Sequence, residues 1–316
     1  MTNTIPDKQS SKPILPQLSN GERIASPLNQ SPGKLVLRRL FRNKLALVGM
    51  VIIGIVVFVA IFAPVLAKQT PDKNGTYKTY LRETKRPPSL EYPMGTDDLG
   101  RDMLSLIIYG SRISIRIGFF SVGLAIIIGV ILGALSGYFG GLIDAIIMRL
   151  MDIMLAFPSI LLALVVVAVI GPGLLNAMIA VGIVSIPTYA RITRASVISE
   201  SSNEYVQASK ALGANSFRIL AQHILPNALS PIIVAASLGI ATAILDAAGL
   251  GFLGLGAQPP TPEWGLLLSR NKSHIFTSPW MVIFPGVSIM FLVLGFNLIG
   301  DGLRDALDPR LAHKMR

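Results

Sequence analysis

Two runs of this sequence, Leu45 to Ala67 and Ile117 to Ile143, contain no charged residue. A helix needs about 20 apolar residues to cross the hydrocarbon core of a bilayer, and both runs are long enough. Further apolar stretches lie at about 144–170, 174–192, 229–255 and 281–300. The expected fold is therefore an all-α polytopic membrane protein with six transmembrane helices. Composition agrees, since 52% of residues are hydrophobic and 14% are charged, whereas soluble domains carry about a quarter charged residues.

Charge sets the expected orientation. The net charge of +11 comes from basic residues beside the spans: Lys34, Arg38, Arg39, Arg42 and Lys44 before the first, Arg191 and Arg194 after the fourth, Lys314 and Arg316 after the last. Cytoplasmic flanks carry such clusters, so both termini are expected inside, and a nucleic-acid partner is not needed to explain the charge. Residues 1–33 are rich in Ser, Pro, Asn and Gln without an apolar period, and read as a disordered cytoplasmic tail. Residues 34–67 read as a basic flank and first span. The first apolar run is too long and too far from the start for a cleaved signal peptide.

The chain carries little that could do chemistry. It has no Cys, and His223, His274 and His313 lack metal-ligand spacing. There is no Gly-rich phosphate loop, no Gly-x-Ser-x-Gly elbow and no His-Glu-x-x-His. No catalytic residue, cofactor or metal is expected, so any work this chain does must borrow its energy from a partner or use a gradient.

Residues 68–112 read as an extracytoplasmic segment. Asp97, Asp98 and Asp102 could suggest a metal site, but adjacent carboxylates need not converge. Thr96 and these Asp residues are better read as caps for an amphipathic helix on the outer surface. In span two, glycines at three- and four-residue spacing allow close helix packing, and Gly140-Gly141 gives a tight turn. Span three opens with Asp144, Arg149 and Asp152, of which Arg149 and Asp152 share a face and can pair. Pro187 is expected to break span four. Asp246 is placed deep in span five, where it must face a cavity or a partner or be protonated. Trp264 and Trp280 are expected at the outer interface.

The stretch Ser201 to Asn227 is one of the few polar places in the second half. Ser201 and Glu204 form a capping-box pattern that predicts a helix start. Tyr205, Ala208 and Leu212 share a face, and Gly213 is a natural stop. Asn215 or Ser216 can cap a second short helix, which Pro226 is expected to close. This helix–glycine–helix elbow has a shallow apolar face suited to another protein's groove.

The pattern Gln207-Ala208-Ser209, then Gly213, then His223-Ile224-Leu225-Pro226 resembles the EAA loop of binding-protein-dependent ABC importer permeases. Gln207 stands where the family has Glu, Ser209 where it has a second Ala, and His223 where Ile is usual. Gly95 to Ser105 also resembles a segment of the dipeptide, oligopeptide and nickel permease group.

The resemblance implies a type I importer permease fold, with residues 113–312 as a five-helix core containing the coupling loop 201–227. It implies a heterodimer with a homologous permease, two ATP-binding subunits and an extracytoplasmic substrate-binding protein, in a bacterial or archaeal cell membrane. Di- or oligopeptides are the expected cargo, with nickel or glutathione as alternatives. By the same resemblance, Ala208, Leu212 and Gly213 make the docking contact, supported by Glu204, Gln207, Ser209 and Pro226. Two rivals are an ion-coupled transporter relaying through Arg149, Asp152 and Asp246, and a membrane scaffold that moves nothing. The first should show inverted repeats, and none is visible.

Overall fold

The computed structural model describes residues 32–307. The tail expected over residues 1–33 lies outside them except for its last two residues, as do Lys314 and Arg316. The chain opens with α1 (Pro32–Arg42), whose start overlaps the expected tail. Asn43 separates it from α2 (Lys44–Ile61) by accepting the backbone N–H groups of Leu45 and Ala46. A single turn, α3 (Ala63–Leu66), follows.

After an irregular segment, α4 (Met103–Phe139) runs for 37 residues, about 55 Å. The separate surface helix expected before span two does not exist: it is the first part of α4, and the boundary drawn at residue 112 falls inside it. Residues 111–117 contain neither Pro nor Gly, and Arg112 and Arg116 favour helical backbone, so nothing there stops the helix. The helix begins at Asp102, not at Thr96. Asp102 Oδ2 accepts the N–H of Ser105 at 2.9 Å.

The three carboxylates in that segment diverge. Asp97 pairs with Arg101 at 2.6 Å, both buried, and Asp98 lies 3.9 Å from Arg270. Among the described residues no cluster of His, Cys, Asp and Glu could hold a metal ion.

Span three is not one straight helix. It splits into α5 (Gly141–Leu155) and α6 (Ser159–Ile170), which meet at 95°. Pro158 imposes the break, since its ring excludes the preceding residue from continuing an α-helix. By contrast, Pro187 does not break α7 (Leu174–Ser201), which passes through it unbroken with the proline buried. Packing against α4, α6 and α10 holds this helix in line, and neighbouring helices commonly offset a missing hydrogen bond in such a setting.

The elbow contains α8 (Glu204–Ala211), α9 (Ser216–Arg218) and a π-helical stretch over residues 219–224, which leads into α10 (Leu225–Phe252). A short α11 (Trp264–Asn271) and the long α12 (Trp280–Leu307) complete the described chain. Among the described residues five helices are long and apolar enough to cross a membrane, and six crossings result if the bent α5–α6 pair counts as one.

Both described ends lie on one face. Arg39 Nη1 donates to Ala306 O at 3.4 Å, and Asn43 Nδ2 to Asp305 Oδ2 at 3.1 Å. This proximal face also carries the Gly140–Gly141 turn, where both φ values are positive, and the elbow. The distal face carries residues 67–102, the 171–173 turn and residues 253–279.

The core is organised around α4 and α7. A Cβ on Gly133 would come within 2.3 Å of Ala190 O, and one on Gly129 within 2.7 Å of the Tyr189 side chain. Only glycine permits this approach, as the spacing predicted. Trp264 is fully buried instead of lying at an interface. The edge of its ring lies against Gly110, and its Nε1 donates to Ile107 O at 3.1 Å. Trp280 is half-buried and donates to Thr96 O at 3.1 Å. Each indole thus finds its acceptor within the protein.

Candidate functional site: the elbow and its root

The elbow has two faces of opposite character. Val206, Ile219 and Ile224 are fully buried against Ala134 of α4 and Val197 of α7. On the other face Leu212 is 88% exposed and Phe217 79%. Two large apolar side chains held in the open beside an anchored inner face make a surface ready to be covered.

Local chemistry shapes the first half. The expected capping box does not form, because α7 extends through Ser201 and Asn203 occupies the N-cap position. The Ser201 hydroxyl is buried and has no partner among the described residues. Gln207 Nε2 donates instead to Ser201 O at 3.1 Å, and Ser209 Oγ to Tyr205 O at 2.8 Å. Both side chains are spent inside the elbow, a supporting position. Glu204 is exposed in the first turn of α8, where a carboxylate suits the helix dipole.

Gly213 ends α8 as expected. With φ +79°, it lets its own N–H reach Lys210 O and that of Ala214 reach Ser209 O, at 3.0 and 3.1 Å. This pair of bonds satisfies the last carbonyls of the helix. Ala208, Leu212 and Gly213 are all exposed, with Leu212 at the tip.

Asn215 caps the second part, its Oδ1 accepting the N–H of Arg218 at 2.8 Å. Pro226 does not close that helix. It sits exposed in the first turn of α10, directly after the π-helical stretch, where Leu225 N–H bonds to Leu220 O. A prolyl ring clashes with the carbonyl four residues earlier, and the wider π turn relieves the crowding. Asn227 Nδ2 then donates to His223 O at 2.8 Å and to the Tyr205 hydroxyl at 3.1 Å. The Tyr205 hydroxyl itself donates to Glu200 at 2.7 Å. This chain of bonds ties the end of α7, α8 and the start of α10 together.

The root of the elbow is clamped by ion pairs that sequence spacing did not identify. Arg149 and Asp152 do not pair. Asp152 accepts Arg191 Nη2 at 2.5 Å, and Arg149 is exposed with no ion pair among the described residues. Asp144 of α5 accepts both Nε and Nη2 of Arg194 of α7 at 2.6 Å, and also the Ser136 hydroxyl of α4. Helical spacing sees only partners on one helix, so pairs across helices were invisible to it.

Asp246 is half-buried about 9 Å from the distal end of α10, not at its middle, and makes no ion pair or hydrogen bond with another described residue. Arg149, Asp152 and Asp246 therefore do not come together as a relay.

Val206 and Phe217 were also missed. A single β-branched residue in a polar helix is a weak signal. Ile219 and Ile224 stand five apart, which suits the π-helical turn and not an α-helical face.

Residues 125–313 match the family described as binding-protein-dependent transport system inner membrane component. Residues 31–88 match the N-terminal TM domain of oligopeptide transport permease C. The dipeptide transport system permease protein DppC of Alkalihalophilus pseudofirmus is 52% identical over 89% of this chain and 91% of its own length. DppC of Escherichia coli K12 is 48% identical over 93% and 99% respectively. The glutathione transport system permease protein GsiD of Pectobacterium atrosepticum is 43% identical over 89% and 92%. Among solved structures, a chain of the MetNI methionine ABC transporter shares the fold with a TM-score of 0.54 and 20% identity. That match covers 65% of this chain and 98% of that one.

Proposed function

The chain belongs to the family of binding-protein-dependent transport system inner membrane components, and on that premise we propose that it forms, with a homologous permease, the pathway of an ATP-driven importer of di- and oligopeptides. It is a multi-pass permease and not an enzyme, and ATP hydrolysis belongs to separate subunits.

In this reading the proximal face is cytoplasmic and the elbow docks in a cleft of an ATPase subunit. Leu212, Ala208 and Gly213 make the contact, while Glu204, Gln207, Ser209 and Pro226 shape it. A substrate-binding protein delivers the peptide to the distal face. Closure of two ATPases pushes on α8. The buried inner face and the clamps Asp144–Arg194 and Asp152–Arg191 pass that displacement to α5 and α7, so that the pathway rocks between two packings. The observation that carries this reading is the exposure of Leu212 and Phe217 on an elbow whose opposite face is fully buried. Peptide cargo is favoured over glutathione because the relatives named for dipeptides are more similar in sequence.

The test is purification of the transporter in mild detergent, comparing wild type with Leu212→Asp/Phe217→Asp. ATPase subunits should accompany the wild type and be lost from the variant, with uptake of a labelled dipeptide lost in parallel. Wild type recovered intact without any ATPase would overturn the proposal.

A further inference from the structure

Two adjoining cavities on the distal half share Arg112 and Arg116 of α4. The first, of about 330 Å³, lies between α4 and the distal loops and is lined also by Tyr77, Tyr109, Asn74 and Pro260. The second, of about 450 Å³, runs along α2 and is lined by Val57, Ala60, Ile61 and Ile115. The first is the more polar, and the second is apolar apart from the two arginines. No Asp or Glu lines either of them.

The two arginines are placed against the usual bias, which puts basic residues on the opposite side from these loops. Arg112 has a structural duty, since its Nε and Nη2 donate to Ala60 O and Ile61 O at the end of α2. Those carbonyls end α2, and Arg116 follows one turn further along α4. Arg116 is exposed and has no ion pair among the described residues.

Tyr77 is 3% exposed, and its hydroxyl has no hydrogen-bond partner among the described residues. A buried hydroxyl without a partner costs about 1–3 kcal/mol, so a ligand acceptor would relieve it. Burial pushes the Tyr77 phenol well above its ordinary pKa, which keeps it neutral and able to donate. Asp72, the nearby carboxylate in sequence, is occupied by the N–H groups of Asn74 and Thr76 at 2.8 Å.

We propose that Arg112, Arg116 and Tyr77 bind the phosphate of an anionic phospholipid in the distal leaflet, with an acyl chain lying along α2 in the apolar groove. The shared chemistry is a phosphate facing two guanidiniums and a phenol: Arg116 can grip it in bidentate fashion, while Arg112, whose Nε and Nη2 hold the end of α2, offers its remaining Nη1. The adjoining groove argues for a lipid over a free anion, because a small ion has no use for an apolar channel. The absence of a lining carboxylate argues against a zwitterionic headgroup, whose ammonium would stand unpaired among cations. The lipid would fasten peripheral α2 to α4, a function separate from coupling and cargo.

The test uses the full chain with its co-purifying subunits. Retained phosphatidylglycerol is quantified after detergent washing, for wild type, Arg116→Gln and Val57→Trp. Thermal stability is followed on adding phosphatidylglycerol, phosphatidylcholine, glycerol 3-phosphate or a dipeptide. Phosphatidylglycerol should be retained by wild type and raise its midpoint most, and Arg116→Gln should lower retention roughly tenfold. Val57→Trp keeps both arginines but fills the groove, and should lower lipid retention too.

Equal retention by wild type and Arg116→Gln would overturn the proposal. Equal stabilisation by phosphatidylcholine would rule out charge selection. Equal stabilisation by glycerol 3-phosphate would make the site a small-anion site, and displacement of lipid by the dipeptide would assign it to cargo. Each of these three results would also overturn it.

Discussion

Asp144 and Arg194 face each other across α5 and α7 as a bidentate ion pair, with both nitrogen–oxygen distances at 2.6 Å. Ser136 of α4 donates to the same carboxylate, so three helices meet at Asp144, whose partner Arg194 lies ten residues before the start of α8. Charge-assisted bidentate bonds fix orientation as well as distance, which suits a joint that must transmit a push.

Replacing that joint by Asp144→Asn should reduce peptide uptake several-fold and lower thermal stability by about 1 kcal/mol, since the pair is partly open to solvent. Swapping the charges, Asp144→Arg with Arg194→Asp, should recover part of the loss. Uptake by the single and double variants in the same cells checks this. No recovery in a properly inserted double variant would mean that the local shape matters and the pairing does not.

Val206 is fully buried on the inner face of the elbow. Val206→Ala removes two methyl groups from a closed site and should cost about 2 kcal/mol locally. Limited proteolysis should then cut between residues 203 and 218 faster than in wild type, with the spans still protected. Leu212→Ala, on the exposed face, should leave the cutting rate unchanged while weakening ATPase retention.

Gly213 holds φ +79° with open space around the position of a Cβ. The obstacle to substitution is therefore backbone strain and not a clash. Gly213→Val should cost about 1–2 kcal/mol, and Gly213→Asn, which tolerates this region, clearly less. Coupled ATPase activity should rank wild type, Asn, Val in falling order.

Glu263 accepts the N–H groups of Gly265 and Leu266, both at 2.7 Å, at the start of α11. Burial raises its pKa to about 7, more than those two bonds lower it. Because the folded value lies above the unfolded value of 4.5, the stabilising contribution is complete below about pH 4.5 and is lost as pH rises through 7. The shift amounts to about 3 kcal/mol at most. Unfolding midpoints from pH 5 to 8 should fall more steeply for wild type than for Glu263→Gln, and parallel slopes would show that Glu263 does not titrate there.

Much of the architecture was legible in residue patterns. Long apolar runs, two of them uncharged, located the spans, because lipid admits no unpaired backbone and few charges. The close packing at Gly129 and Gly133 followed from glycine spacing, and the exposed tip at Leu212 and Gly213 from the elbow pattern. These are local properties, dictated by what a residue can do with its own neighbours in the chain.

What required the tertiary structure was every relationship between distant segments. Asp152 reaches Arg191 and not Arg149, because a partner on another helix can be nearer than one a turn away. Trp264 is buried because α4 presents Gly110 and a carbonyl to it. Pro158 bends its helix by 95° while Pro187 leaves its own unbroken, since packing decides whether neighbours hold a weakened helix in line. The same holds for Arg112 and Arg116, two unremarkable charges in sequence. Only the folding of α2 and the distal loops around them makes a basic cavity that opens onto an apolar groove.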